Sequence, residues 1–112
     1  MLKQESTPII VKFYRGFSDE TRLSIVKTLL SGEKTVSQII DLTQQSQSNI
    51  SNHLKCLSSC GMVDKRRIGK NIIYFIKDKD INKLLLLTDK IVAKIGSEIE
   101  SCQRYKNKYE RK

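Results

Sequence analysis

Cys56 and Cys60 stand one helical turn apart in the segment SQSNISNHLKCLSSCGMV, residues 46–63. Side chains four apart on a helix are stacked neighbours, near enough to share one ion. Thiolates select soft or borderline metals. Two donors do not close such a site. The remaining cysteine, Cys102, follows Ile91, Ile95 and Ile99 along an apolar stripe with steps of four, four and three. It therefore points into whatever surface that last helix packs on. Cys56, Cys60 and Cys102 together would make a three-sulfur site, within one chain or across a dimer. The plainer alternative is that all three are small apolar fillers. For a single cysteine that reading would stand, but a pair at this spacing with a third on a packed stripe favours the site. His53, the only histidine, is read as a packed, hydrogen-bonded side chain rather than a fourth ligand. The acidic residues show no spacing that suits a hard metal.

The same segment carries a second chemistry. At ~100° per residue, with Ile50 at zero, Leu54 and Leu57 fall within ~40° of it and mark a core side. Lys55, Ser48, Ser59 and Asn52 lie opposite, with Ser51 at their edge. Hydroxyls, an amide and a cation suit base edges and phosphates. Gln47 occupies the first turn, from which a recognition helix enters the major groove. An ordinary solvated face would also be polar, so the decision rests on the neighbouring stretch DKRRIGKN at 64–71. It reads as a basic hairpin turning at Gly69. Lys65, Arg66, Arg67 and Lys70 on it suit phosphate or minor-groove contact. The candidate DNA-binding residues are thus Gln47, Ser48, Ser51, Asn52, Lys55, Lys65, Arg66, Arg67 and Lys70. Cys56 and Cys60 sit on the flank between the core side and this polar face.

The elements that must position these groups follow from periodicity. Pro8 opens an amphipathic helix over 8–17, with Ile9, Ile10, Phe13 and Phe17 at helical spacing. Ser18 or Asp19 caps a second helix whose apolar face is Leu23, Val26, Leu29 and Leu30. A third runs from about Val36 to Leu42, a polar turn covers Thr43 to Gln45, and Ser46 caps the helix that bears Cys56. Met62-Val63 and Ile72 to Ile76 read as two strands rich in β-formers. A helical period returns over 78–102, and the charged tail from Gln103 is expected to fray. This order predicts a mainly α fold, a winged helix-turn-helix with a two-stranded β-wing and a long C-terminal dimerisation helix. Residues 1–112 then form a single domain, with 35–60 as the helix-turn-helix, 62–76 as the wing, and 8–17 and 78–102 as dimerisation helices.

Composition agrees with this partner class. The chain has 112 residues, 21 Lys+Arg against 12 Asp+Glu and a formal net charge of +9, a balance that favours a polyanion. No apolar run approaches the ~18 residues of a spanning helix, and the N-terminus lacks a secretory layout. A cytoplasmic protein with no membrane partner is expected. In a reducing compartment three cysteines argue against a disulfide framework. A Cys–His hydrolase built on His53 lacks an oxyanion loop and an orienting acid, so no catalytic residue is assigned and the chain is not read as an enzyme.

Three stretches, FSDETRLSIVKTLL, SQSNISNHLKCL and GMVDKRRIGKNIIYFI, resemble the ArsR/SmtB family of bacterial metal-responsive repressors. The family pattern is a D-x-T-R-L helix, an S-x-H-L-x-x-L helix and a G-(L/M)-V…G-(K/R)…Y wing. Glu20 stands where members usually have proline. The family's arsenic-type site needs a C-x-C pair in the third helix, and residues 33–42 contain no cysteine. Its zinc-type site needs Asp and His pairs on the last helix, which has no histidine. L-x-C-L-x-x-C-G with a late cysteine is similar to the CmtR-like branch, which senses cadmium and lead. The resemblance implies a homodimeric repressor bound to palindromic operator DNA. Its effector would be Cd2+ or Pb2+, with Zn2+ as a further candidate. Cys56, Cys60 and Cys102, the last from the same or the other subunit, would hold the ion and release the DNA. The alternative is a repressor of the same fold that senses thiol oxidation or persulfide.

Overall fold

The structure, a computed structural model, describes residues 6–102; the tail expected to fray from Gln103 lies outside them. The element order is α1 (Thr7–Arg15), α2 (Glu20–Leu29), β1 (Lys34–Thr35), α3 (Val36–Thr43), α4 (Gln47–Ser59), β2 (Val63–Ile68), β3 (Asn71–Ile76) and α5 (Lys79–Ser101). This is the winged helix-turn-helix that the periodicity predicts, mainly helical with a long last helix. The chain divides into two compact units, the first ending at Asn82 and the second beginning at Lys83.

In the first unit local chemistry sets the helix ends. Pro8 lies in the first turn of α1, where its missing N–H costs nothing. Asp19 caps α2 by accepting the amide of Arg22 at 3.0 Å. The Arg22 side chain then turns back to α1, donating to the carbonyl oxygens of Gly16 at 3.1 Å and Arg15 at 2.8 Å. It thereby satisfies acceptors that a helix end leaves open. Gly16 is buried, and a β-carbon there would run into the Met62 side chain; the close approach requires a residue without one. Thr35 and Gln38 form a reciprocal capping box at the start of α3.

α2, α3 and α4 pack on one another and on the sheet. Ile25, Val26, Leu29, Ile39, Ile50, Leu54, Leu57, Met62 and Val63 are the buried side chains they share. Each is worth about 1.5–3 kcal/mol when removed from water. The sheet has three antiparallel strands in the order β1-β3-β2, not two. β1 pairs Lys34 with Tyr74 and Thr35 with Ile73. The wing strands are also longer than Met62-Val63 implied, pairing from Val63↔Ile76 to Ile68↔Asn71.

The second unit carries most of α5. Leu86, Leu87, Ile91, Val92, Ile95 and Ile99 are exposed along it. Among the described residues no helix is long and apolar enough to cross a membrane.

Candidate functional site

α4 is held by its inner face and presents its outer one. Ser46 caps it by accepting the amide of Asn49 at 3.1 Å. The Asn49 side chain donates to Gln45 Oε1 at 2.8 Å, tying the preceding turn to the first helical turn. That turn departs from α3 through Gln44, whose φ of 60° is left-handed. Ile50, Leu54 and Leu57 are at most 1% exposed. Gln47, Ser48, Ser51, Asn52, Lys55 and Ser59 are all exposed. The Ser59 hydroxyl donates to the Lys55 carbonyl at 3.0 Å, whereas the others leave amide, hydroxyl and ammonium groups facing outward. Such a face can meet base edges and phosphates, because its anchoring lies entirely on the other side.

The hairpin brings its cations alongside. Lys65, Arg66, Arg67 and Lys70 are exposed. An open groove of about 340 Å³ runs beside the strand, lined by Lys65, Arg66, Arg67 and Ile72. The four are not equivalent. Arg66 pairs with Glu33, and its guanidinium carbon lies 5.3 Å from the centre of the Phe75 ring. Neither partner is visible from local spacing; the only sequence signal is strand alternation combined with the position of β1.

Cys56 and Cys60 are both exposed free thiols, the first in the last turn of α4 and the second its C-cap. The Cys60 amide donates to the Cys56 carbonyl at 3.1 Å, which keeps the helical i, i+4 bond between them, a spacing at which Cβ atoms stand about 5–6 Å apart. Cys102 is a half-exposed free thiol just past the end of α5. Among the described residues no three His, Cys, Asp or Glu side chains gather into a metal-binding cluster. His53 is half-buried, with Nε2 3.7 Å from Asp19 Oδ2. That is an ion-pair distance and too long for the hydrogen bond expected of it. The amide of Arg22 above all, and the charges of His53 and Arg22, hold the Asp19 carboxyl below the ordinary carboxylate value against the opposing effect of desolvation.

Comparison with known proteins gives this geometry a context. The model of a family described as bacterial regulatory protein, arsR family, matches residues 19–65, which is α2 through the first wing strand. A Streptomyces lividans protein named probable mercury resistance operon repressor is 33% identical over 93 residues, covering 83% of this chain and 74% of that one. Among solved structures, the cadmium metal-sensor CMTR of Mycobacterium tuberculosis superposes with a TM-score of 0.60 at 32% identity. That match covers 67% of this chain and 78% of the other. A homodimeric winged helix-turn-helix DNA-binding domain from Mycobacterium bovis gives a TM-score of 0.70 at 25% identity, over 91% of this chain and 96% of that one.

Proposed function

This chain belongs to the arsR family of bacterial regulatory proteins, a transcription regulator rather than an enzyme, and from that premise we propose that it is a metal-responsive repressor. It binds operator DNA as a homodimer in the cytoplasm and lets go when a soft divalent ion is captured by its thiols. The observation that carries this reading is the placement of two exposed thiols and a polar, outward face on α4 and its C-cap.

Each part has a physical role. Gln47, Ser48, Ser51, Asn52 and Lys55 meet base edges and nearby phosphates from the major groove. Lys65, Arg67 and Lys70 hold the flanking backbone. Cys56 and Cys60 fit a soft ion by donor type, exposure and stacking. A third donor is required, and Cys102 of the same or the other subunit supplies it. Cadmium, lead or zinc, when bound, supplies bonds to sulfur that tie α4 to this donor. The thiols give up their protons on capture. α4 then loses the freedom to seat both half-sites of the operator. The similarity to a mercury-operon repressor and to a cadmium sensor supports a thiophilic effector.

Oxidation as the input is less well served by α4. Its stacked Cβ atoms, about 5–6 Å apart, exceed the ~3.5–4.5 Å of a disulfide. The test is a cadmium titration of reduced protein on labelled operator DNA, following sulfur-to-metal charge-transfer absorption alongside release. Wild type is expected to lose about 5–150-fold in operator affinity, the usual range of coupling between sites. Cys56→Ser is expected to bind operator normally and ignore cadmium. If it releases DNA as the parent does, the thiol assignment fails.

A further inference from the structure

A count of charge treats the four cations of the hairpin as equals, but the strand register divides them. Side chains alternate along β2, and directly paired residues of an antiparallel ladder share a face. Val63, Lys65 and Arg67 therefore lie on one face with Ile76, Tyr74 and Ile72. Val63 is 2% exposed, so this is the side that the helices cover at the base of the hairpin. Arg66 lies on the reverse face with Ile73, and Phe75 is its diagonal neighbour. β1 extends that face, because pairing Lys34 with Tyr74 brings Glu33 beside Phe75.

Three segments thus converge on one guanidinium. Nη2 of Arg66 donates to Oε1 of Glu33, and the Phe75 ring lies 5.3 Å away. β3 stands between β1 and β2, so the Arg66 side chain spans the width of the sheet and ties its outer strand to the chain before β1. Lys65, Arg67 and Lys70 have no such carboxylate partner among the described residues.

We propose that Arg66 is a positioning residue: its contact with Glu33 across the sheet, over the Phe75 ring, sets the pitch of the wing and withholds that cation from the DNA backbone. Its functional meaning rests on the operator-binding reading above; its structural half does not. To meet a phosphate, Arg66 would have to leave both partners. Lys65 and Arg67, on the opposite face, have no carboxylate partner to leave among the described residues. Glu33 is in effect an internal competitor for the phosphate.

Both halves are open to test. Each lost phosphate contact lowers the slope of log affinity against log salt by ~0.9. Arg67→Gln is expected to show that drop. Arg66→Gln is expected to weaken operator binding by about threefold, the scale of a surface ion pair, with the wild-type slope. The charge-reversed double variant Glu33→Arg with Arg66→Glu is expected to recover affinity that Arg66→Glu alone loses. A slope lowered by ~0.9 in Arg66→Gln, or no recovery in the reversed pair, overturns the proposal. A second arm uses the free protein. Glu33→Gln and Arg66→Gln should each speed amide exchange along β2 equally, and their combination should add nothing further. Unchanged exchange, or additive effects, overturns the brace without reference to DNA. If wild type fails to bind any operator fragment while exchange behaves as expected, the proposed function falls and the brace stands.

Discussion

Asp19 ties three helices together at one point. Its carboxylate caps α2 through the Arg22 amide, the Arg22 side chain covers the end of α1, and Oδ2 faces His53 on α4. The charged form is the one these contacts favour, which is why its pKa is lowered. The unfolded chain then binds more protons than the folded one in the acid range, so stability rises with pH there. The contribution of Asp19 is complete above its unfolded value of 3.8 and is lost as the pH falls from there through the lowered folded value. Asp19→Ala is expected to cost about 1 kcal/mol at neutral pH, the usual worth of such a cap. Urea unfolding of both proteins checks this, with the gap narrowing as the pH falls below 3.8. A gap that does not change across that range would mean that the carboxylate charge contributes nothing and only its shape matters.

At the scale of elements, the wing depends on a turn with a single permissive residue. β2 ends at Ile68 and β3 begins at Asn71, leaving Gly69 and Lys70 as a two-residue loop. Gly69 has a φ of 62°, and a positive φ at the first position alone is the II′ pattern, whose twist matches the strands. A β-carbon at Gly69 would meet nothing within 4 Å. Gly69→Ala therefore isolates the backbone cost, about 1–2 kcal/mol. Faster amide exchange confined to β2 and β3, with α2 to α4 unaffected, is the expected readout; uniform acceleration would show that the hairpin is part of the core's cooperative unit. The same elements show which parts of the fold were legible in the sequence. Ser46, Asp19, Ile50, Leu54 and Leu57 announce α2 and α4 because caps and periodicity act within a few residues. β1 was missed because Lys34 and Thr35 are too short a run to show alternation. The carboxylate that pairs with Arg66 lies 33 residues away, so spacing alone shows no partner for it and groups it with Lys65, Arg67 and Lys70.

At the scale of the whole molecule, the proposed operator binding is a property of an assembly. The second unit leaves Ile91, Ile95 and Ile99 between 41% and 44% exposed and Leu86 and Leu87 more so. A row of large aliphatics at helical spacing on a chain of net charge +9 is a surface that water does not favour leaving bare. In the proposed homodimer a second copy would cover such a row on both chains at once, since a two-fold contact is self-complementary. That homodimer would also present two α4 helices to two half-sites about 34–36 Å apart on one face of the duplex. Ile95→Glu sets a carboxylate in the middle of the row while leaving every core residue of the first unit untouched. Its expected result is a monomer by sedimentation, with the far-ultraviolet signal of wild type. Operator binding should fall by about 10²-fold or more, because linked half-sites raise avidity by 10²–10⁴. Its residual affinity should be the same on a full operator and on an isolated half-site. A variant that still sediments as a dimer and still prefers the full operator would remove α5 from the interface and shift that role to another surface.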